Sequence, residues 1–420
     1  MTKTVVSWAF YDWANSAFAV VVLTAFYPVL FESFWSINVE PTTTTARIGF
    51  ANSLSSIVVV LLAPILGAIA DASQAKKRFL ISFALVGILM TGSLYFVGEG
   101  QWVYASICFI FASIGFAGAN VFYDSLITAV TGRDKYDFVS ALGYAFGYLG
   151  GGLLFLITVV ISQSPDTFGF VSTRDAVQFS FVVVSLWWFF FSLPIIFFVH
   201  ESGDLSSPSK INILSGLRQL KQTANEIRAL KTVMLFLLAY WLYIDGVDTI
   251  VRMAIPYGLS IGLDSSNLIM AILITQFVGF PSALLFGFLG QKWGAKLWLL
   301  IAIVTYLVIT VLASNMDSVK EFYILAISIG LVQGGIQSLS RSFYASIIPI
   351  SKSAEFFGFY NMLGKFAAVL GPVMMGFVGV LTGDPRSSIL AISVLFVAGG
   401  ILLYFVNEEK ARQNLQILET

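Results

Sequence analysis

Cysteine and histidine are nearly absent from these 420 residues, and charge is scarce. Cys108 is the only cysteine, which excludes an internal disulfide and a thiolate metal cluster. His200 is the only histidine, so the usual general base and metal ligand is missing from almost the whole chain. No Gly-x-x-x-x-Gly-Lys-Ser/Thr sequence occurs, so nothing supports direct ATP drive, and no cofactor is expected. Formal net charge is zero, with no basic field for nucleic acid. Only 11% of residues are charged, against roughly 25% in a soluble domain.

What is abundant is apolar: 58% of the chain is hydrophobic. These residues come in blocks of about 20 or more, the length that crosses ~30 Å of hydrocarbon. The bilayer is therefore the expected solvent. Apolar blocks lie near 7–35, 47–70, 79–97, 102–129, 138–162 and 176–199, then near 232–261, 266–290, 296–314, 321–348, 354–382 and 387–406. The expected fold is an all-α membrane protein of twelve transmembrane helices. The first block is too long for a signal peptide and is interrupted by Asp12 and Asn15, so it reads as the first helix.

Residues 200–231 form the longest polar stretch and read as a linker between six-helix bundles at 1–199 and 232–420. The second part of the linker has helical spacing and is expected to lie along the membrane surface. Sixteen Lys and Arg fall on the side holding the N-terminus, the linker and the C-terminus, and four on the other, which predicts cytoplasmic termini. The halves resemble each other. Gly67-x-x-x-Asp71 recurs as Gly287-x-x-x-Gln291 after 220 residues, Phe122-Tyr123 recurs as Phe343-Tyr344, and Asp12-x-x-Asn15 parallels Asp245-x-x-Asp248. Two parallel repeats with a site at their interface is a transporter architecture.

Ionisable residues at membrane depth are costly and face a cavity, a partner or both. Segments 3, 6, 9 and 12 carry none in their cores. Asp12, Asp124, Asp245, Asp248, Arg252, Arg341 and Lys365 lie in segments 1, 4, 7, 10 and 11, which predicts four helices around a wet cavity. Asp245 and Lys365, near mid-depth, are candidate substrate ligands with Gln333, Gln337, Asn361, Asn15 and Tyr11. Asp245 and Asp248 are candidate proton carriers. Asp245, Asp248 and Arg252 follow i, i+3, i+7 spacing, and Asp248 is in reach of Arg252. Asp12, Asp71, Asp124, Arg252 and Arg341 are candidate gate or ion-pair residues. Gly143, Gly147 and Gly151 form a stripe for close helix approach, either fixed packing or a sliding contact between halves.

The run Tyr11-Asp12-Trp13-Ala14-Asn15-Ser16-Ala17-Phe18 resembles the vacuole effluxer-like branch of the major facilitator superfamily, related to the autophagy permeases of fungal vacuoles. So do the glycine-rich block from Gly143 to Gly152, the block from Leu238 to Gly246, Gln337-x-Leu339-Ser340-Arg341-Ser342, Ala354-Glu355-Phe356-Phe357-Gly358 and Gly364-Lys365-Phe366. The resemblance implies alternating access, with helices 1, 4, 7 and 10 lining the cavity. It also implies export of an amino acid or similar metabolite. Ala72 and Gln74 depart from the superfamily's cytoplasmic motif, and Asp124 and Asp248 are acids where the family pattern is uncharged, which leaves efflux of cationic or lipophilic compounds open. Compact loops point to a bacterial inner membrane, and a monomer is expected. A membrane enzyme or a non-transporting sensor is disfavoured, since there is neither a reactive constellation nor an appended soluble domain.

Overall fold

A backbone surrounded by hydrocarbon must satisfy its own N–H and C=O groups, so each apolar block closes into a helix. The computed structural model describes residues 1–201, 226–227, 230–260, 262, 264–316 and 318–419. Twelve helices long and apolar enough to cross a membrane occur among them. The first six are α1 (Lys3–Trp35), α2 (Thr42–Ala72), α3 (Lys76–Phe96), α4 (Trp102–Val130), α5 (Arg133–Gln163) and α6 (Thr173–Phe198). The second six are α7 (Lys231–Ala254), α8 (Ser266–Trp293), α9 (Ala295–Ser314), α10 (Val319–Ser346), α11 (Ile350–Thr382) and α12 (Arg386–Phe405). A short amphipathic helix, α13 (Glu408–Glu419), follows and packs on α7, burying Ala411 and Leu415. The amphipathic part of the 200–231 linker lies largely outside the described residues.

Local chemistry sets the ends. Thr2 accepts the Val5 N–H at 3.3 Å, which starts α1 at Lys3 rather than near residue 7. Lys3 lies 3.5 Å from the Phe198 ring, a contact that helps tolerate its charge at the helix end. Ser318 and Glu321 form a reciprocal capping box on α10. Gly294, at φ 90, lets the chain reverse between α8 and α9 without a side-chain clash. Within α1, Phe18–Phe26 and Phe31–Trp35 wind as π-helix around Pro28, which has no N–H to give.

Packing repeats the pairing of helices across the two sets of six. The α1 helix packs on α5 and α6 as α7 packs on α11 and α12, and α3 packs on α4 and α6 as α9 packs on α10 and α12. Lys77 donates to the carbonyls of Ile196 (2.9 Å) and Val199 (2.7 Å) at the end of α6. Lys296 does the same to Tyr404 and Val406 at the end of α12, both at 2.7 Å. Cations there satisfy carbonyls left open at a helix C-terminus. The two sets meet mainly through α2 on α11 and α5 on α8. Gly67 and Gly287 sit at these two contacts: a Cβ on Gly67 would lie 2.9 Å from Glu355 Cα, and one on Gly287 3.2 Å from the Asp137 carbonyl. The repeated glycines of the sequence thus mark equivalent close approaches. Pro64 in α2 and Pro281 in α8 add a further match.

The stripe Gly143, Gly147 and Gly151 faces Asp12, Ser16 and Val20 of α1, and at Gly143 also Arg341 of α10. It is mainly a packing face on α1; Tyr148 and Gly152 of the same region meet α8, at Gly279 and Gln276.

Glu201, just beyond α6, accepts from the amide N–H of Lys76 (3.0 Å) and Lys77 (2.5 Å) at the start of α3. Burial raises its carboxyl above the ordinary value, against the pull of those two N–H groups and the two lysines. Glu201→Ala leaves two donors without their acceptor and should cost about 1–2 kcal/mol. A thermal melt of the detergent-purified protein checks this, and an unchanged melting temperature would mean the cap contributes nothing.

Candidate substrate cavity and its charged clusters

A cavity of about 690 Å³ lies between the two sets of helices, within the range of small-molecule sites. Residues from α1, α2, α4, α5, α7, α8, α10 and α11 line it, and none from α3, α6, α9 or α12 does. The charge periodicity therefore identified the excluded helices, but four lining helices become eight. Those missed contribute Asn52 and Ser55 from α2, Tyr144 and Tyr148 from α5 and Gln276 from α8. These side chains are uncharged, so a count of ionisable residues passes over them. Pairs of polar residues at helical spacing, such as Tyr144 and Tyr148, were the available signal.

At the cavity's deep end Arg341 of α10 is 1% exposed. Its Nε donates to Ser140 Oγ at 2.9 Å and its Nη2 to the Ser140 carbonyl at 2.8 Å. Nη1 reaches Asp124 Oδ1 at 3.0 Å and Asp12 Oδ2 at 3.5 Å. The guanidinium also lies 4.4 Å from the Tyr144 ring, 4.9 Å from Trp8 and 5.3 Å from Tyr123. Asp12 Oδ2 accepts the Tyr123 hydroxyl at 2.8 Å, and Asp124 Oδ2 accepts Asn361 Nδ2 at 3.1 Å. Asn15 donates to Asn120 at 2.6 Å beside them. Tyr148 donates to Gln337 at 3.2 Å, another bond between the sets.

A second polar layer closes the face that carries the chain's N-terminus. Asp71 pairs with Lys76 at 2.9 Å and accepts the Glu355 N–H at 2.8 Å, at the start of the α11 helix proper. Lys76 donates to Ser353 at 2.6 Å, Ser342 donates to Asp137 at 2.5 Å, and Arg133 donates to the Ile348 carbonyl at 3.2 Å. Lys352 pairs with Glu226 at 2.6 Å. On the other side the cavity runs past Thr24, Pro28 and Asn52 toward the opposite face.

Gln333, Gln337, Asn361, Asn15, Lys365, Asp248 and Arg252 all line the cavity, as do Asp12, Asp124 and Arg341. Three expectations need correction. Asp245 is fully buried and outside the lining: it accepts the N–H groups of Leu370 (3.0 Å) and Gly371 (2.9 Å) and the Thr249 hydroxyl (3.2 Å). Three residues turn a helix short of a full circle, so Asp245 sits about 60° round α7 from Asp248, facing α11. There the short carboxylate accepts two amides of α11 just before Pro372, which lies inside that helix. Asp245 thus lies behind the cavity wall, with its oxygens engaged by α11 and Thr249. Tyr11 is also fully buried and outside the lining, packed on Tyr123 with ring centroids 5.1 Å apart. Asp248 and Arg252 are within electrostatic range but form no ion pair within 4.0 Å among the described residues; Lys365 acts on Asp248 from α11 in the same way. Among the described residues no cluster of three His, Cys, Asp or Glu could hold a metal.

Twelve crossing helices in two similarly packed sets, with a polar cavity between them, define a multi-pass membrane transporter of the major facilitator class. The chain belongs to the vacuole effluxer Atg22-like family, whose model matches residues 37–136 and 127–416. It is 38% identical over 411 residues to the uncharacterized MFS-type transporter YxiO of Bacillus subtilis, covering 97% of this chain and 96% of that protein. It is 22% identical to autophagy-related protein 22 of Kluyveromyces lactis, covering 100% and 96%. Among solved structures it is similar to the proton:xylose symporter XylE bound to 6-bromo-6-deoxy-D-glucose, with TM-score 0.75, 14% identity and 99% and 98% coverage. It is also similar to FucP in the outward conformation, with TM-score 0.68, 13% identity and 96% and 98% coverage. At these identities the solved structures establish the fold alone.

Arg341→Ala would leave two buried carboxylates without their cation and should destabilise the protein by about 3–5 kcal/mol. Arg341→Lys, which cannot reproduce the fork to Ser140 and both acids, should recover less than half of that. Melting curves of the two variants check both statements; equal stability to wild type would deny the cluster a structural role.

Proposed function

We propose that this protein is a secondary carrier for a small metabolite bearing both charges, an amino acid or a close analogue, working by alternating access in a bacterial inner membrane. Residues 1–199 and 232–420 are the two moving bundles, 200–231 joins them, and both termini are cytoplasmic. The cavity then faces outward, with its cytoplasmic side closed by the Asp71 and Arg341 layers.

One observation carries the reading. Lys365, Arg252 and Asp248 face the cavity from α11 and α7, and among the described residues none of the three is committed to a hydrogen bond or ion pair. Charges held at membrane depth without a structural partner are available to a ligand. Two cations suit a carboxylate and one acid suits an amine, while Gln333 and Gln276 add neutral donors and acceptors. The similarity to Atg22-like proteins and to a bacterial MFS-type transporter supports the transporter class and the bacterial setting.

A substrate-library thermal-shift screen on purified protein, followed by flux in proteoliposomes, tests the proposal. Zwitterionic amino acids should be the stabilising set. A set confined to lipophilic cations would replace this reading with drug-type efflux. With a hit in hand, Lys365→Gln should weaken binding by about tenfold or more. Asp245→Asn should leave affinity within about twofold, yet lower stability by roughly 1–3 kcal/mol, because it weakens an acceptor for two buried amides. Loss of binding in Asp245→Asn with intact stability would restore Asp245 to the site.

A further inference from the structure

We propose that the cavity has a second, apolar subsite inside the second set of helices, and that the substrate is a zwitterion extended into it through an amide, as in a dipeptide with one apolar residue. The proposal rests on the carrier reading above and names the class of its substrate. A side pocket of about 150 Å³ lies toward the face away from the termini, where α9 ends and α10 begins. All six helices of the second set contribute to it: Ile250 of α7, Leu268 of α8, Ile309 of α9, Phe322 of α10, Met375 of α11 and Ile392 of α12. Among the described residues no Asp, Glu, Lys or Arg lines it. Its hydroxyls are already engaged by backbone carbonyls. Tyr257 donates to Ala313 at 2.8 Å, Thr310 to Tyr306 at 2.7 Å and Thr275 to Ala271 at 2.9 Å. A space lined in this way favours an apolar group over water or a charge.

The pocket opens on the central cavity. Val20, Thr24, Val251, Gln276 and Gln333 line both spaces, so the opening lies among them. Val251 precedes Arg252 in α7, which puts the opening beside a cation that the carrier reading gives to a carboxylate. Thr24 donates to its own Ala19 carbonyl at 2.9 Å. The two glutamines differ: Gln276 of α8 and Gln333 of α10 are half-buried, and neither side chain makes a hydrogen bond among the described residues. Each carries two N–H donors and an acceptor oxygen, and amides so placed lose free energy when a ligand leaves them unanswered. A peptide group answers the pair with its own N–H and C=O, whereas a hydrocarbon chain at that point answers neither.

Size agrees with this assignment. The central cavity of about 690 Å³ lies in the range of roughly 300–1,000 Å³ that holds ligands larger than a single amino acid. A dipeptide has an amine for Asp248, a carboxylate for Lys365 and Arg252, a neutral link for Gln276 and Gln333, and one side chain for the pocket.

Calorimetric titration of the detergent-purified, unsubstituted protein with leucine, glycyl-glycine, glycyl-leucine and leucyl-glycine tests the proposal. The better of the two leucine dipeptides should bind about tenfold or more tightly than glycyl-glycine, because its side chain enters the pocket. It should exceed leucine by about tenfold as well, because only the dipeptide has a link for the glutamines. Ala254→Leu, which narrows the pocket, should weaken that dipeptide about tenfold, with a melting curve to show that the variant folds. In proteoliposomes the same dipeptide should exchange across the membrane. Leucine binding as tightly as the dipeptide would remove the amide link from the proposal, and glycyl-glycine binding as tightly would remove the pocket; both outcomes leave the carrier reading intact. Tight binding without exchange would make the dipeptide a blocker and overturn its place as substrate. Binding of none of these zwitterions, with stabilisation by lipophilic cations instead, would overturn the carrier reading for a doubly charged metabolite itself.

Discussion

Arg341 holds the two halves of the cavity wall together where they are least able to tolerate a mistake. A guanidinium at 1% exposure in the middle of a membrane protein is stable only if its donors and its charge are both answered. Here Ser140 answers two donors, Asp12 and Asp124 answer the charge, and three aromatic rings cover its faces. Because socket and guanidinium come from different sets of helices, this one cluster links the internal stability of the protein to the closure of one face. It also defines the floor of the cavity.

Around that cluster the structure uses the same devices twice. Gly67 and Gly287 admit the close contacts of α2 with α11 and of α5 with α8, and Lys77 and Lys296 close the ends of α6 and α12. The duplication is therefore one of contacts as well as of sequence. It breaks down in the polar residues: the first set supplies the acids and tyrosines of the socket, and the second supplies Arg341, Lys365, Asp248 and Arg252. A twofold architecture thus carries an asymmetric charge distribution.

The reasons some residues were misplaced from sequence are physical. Asp245 and Asp248 are three residues apart, and both looked like cavity acids because helical spacing fixes angle only to within a broad face. What separates them is the neighbour each meets: Asp245 turns to α11 and accepts its Leu370 and Gly371 amides, while Asp248 lines the cavity. Tyr11 adjoins Asp12 in the first apolar block, yet its ring packs against Tyr123 behind the wall. Conversely Asn52, Tyr144, Tyr148 and Gln276 reach the cavity without the cost that makes a buried charge conspicuous in a sequence.

The sequence by itself determined the number of helices, the two related sets, and the helices that stay out of the cavity. Apolar length and scarcity of charge are read along one dimension, and hydrocarbon leaves the backbone little choice. Tertiary structure alone decided which acids meet which cations. Asp12, Asp124 and Arg341 are more than a hundred residues apart from one another, and their union depends on how helices from the two sets approach. It also left Lys365, Arg252 and Asp248 without a hydrogen bond or ion pair among the described residues, because their helices carry them to the cavity.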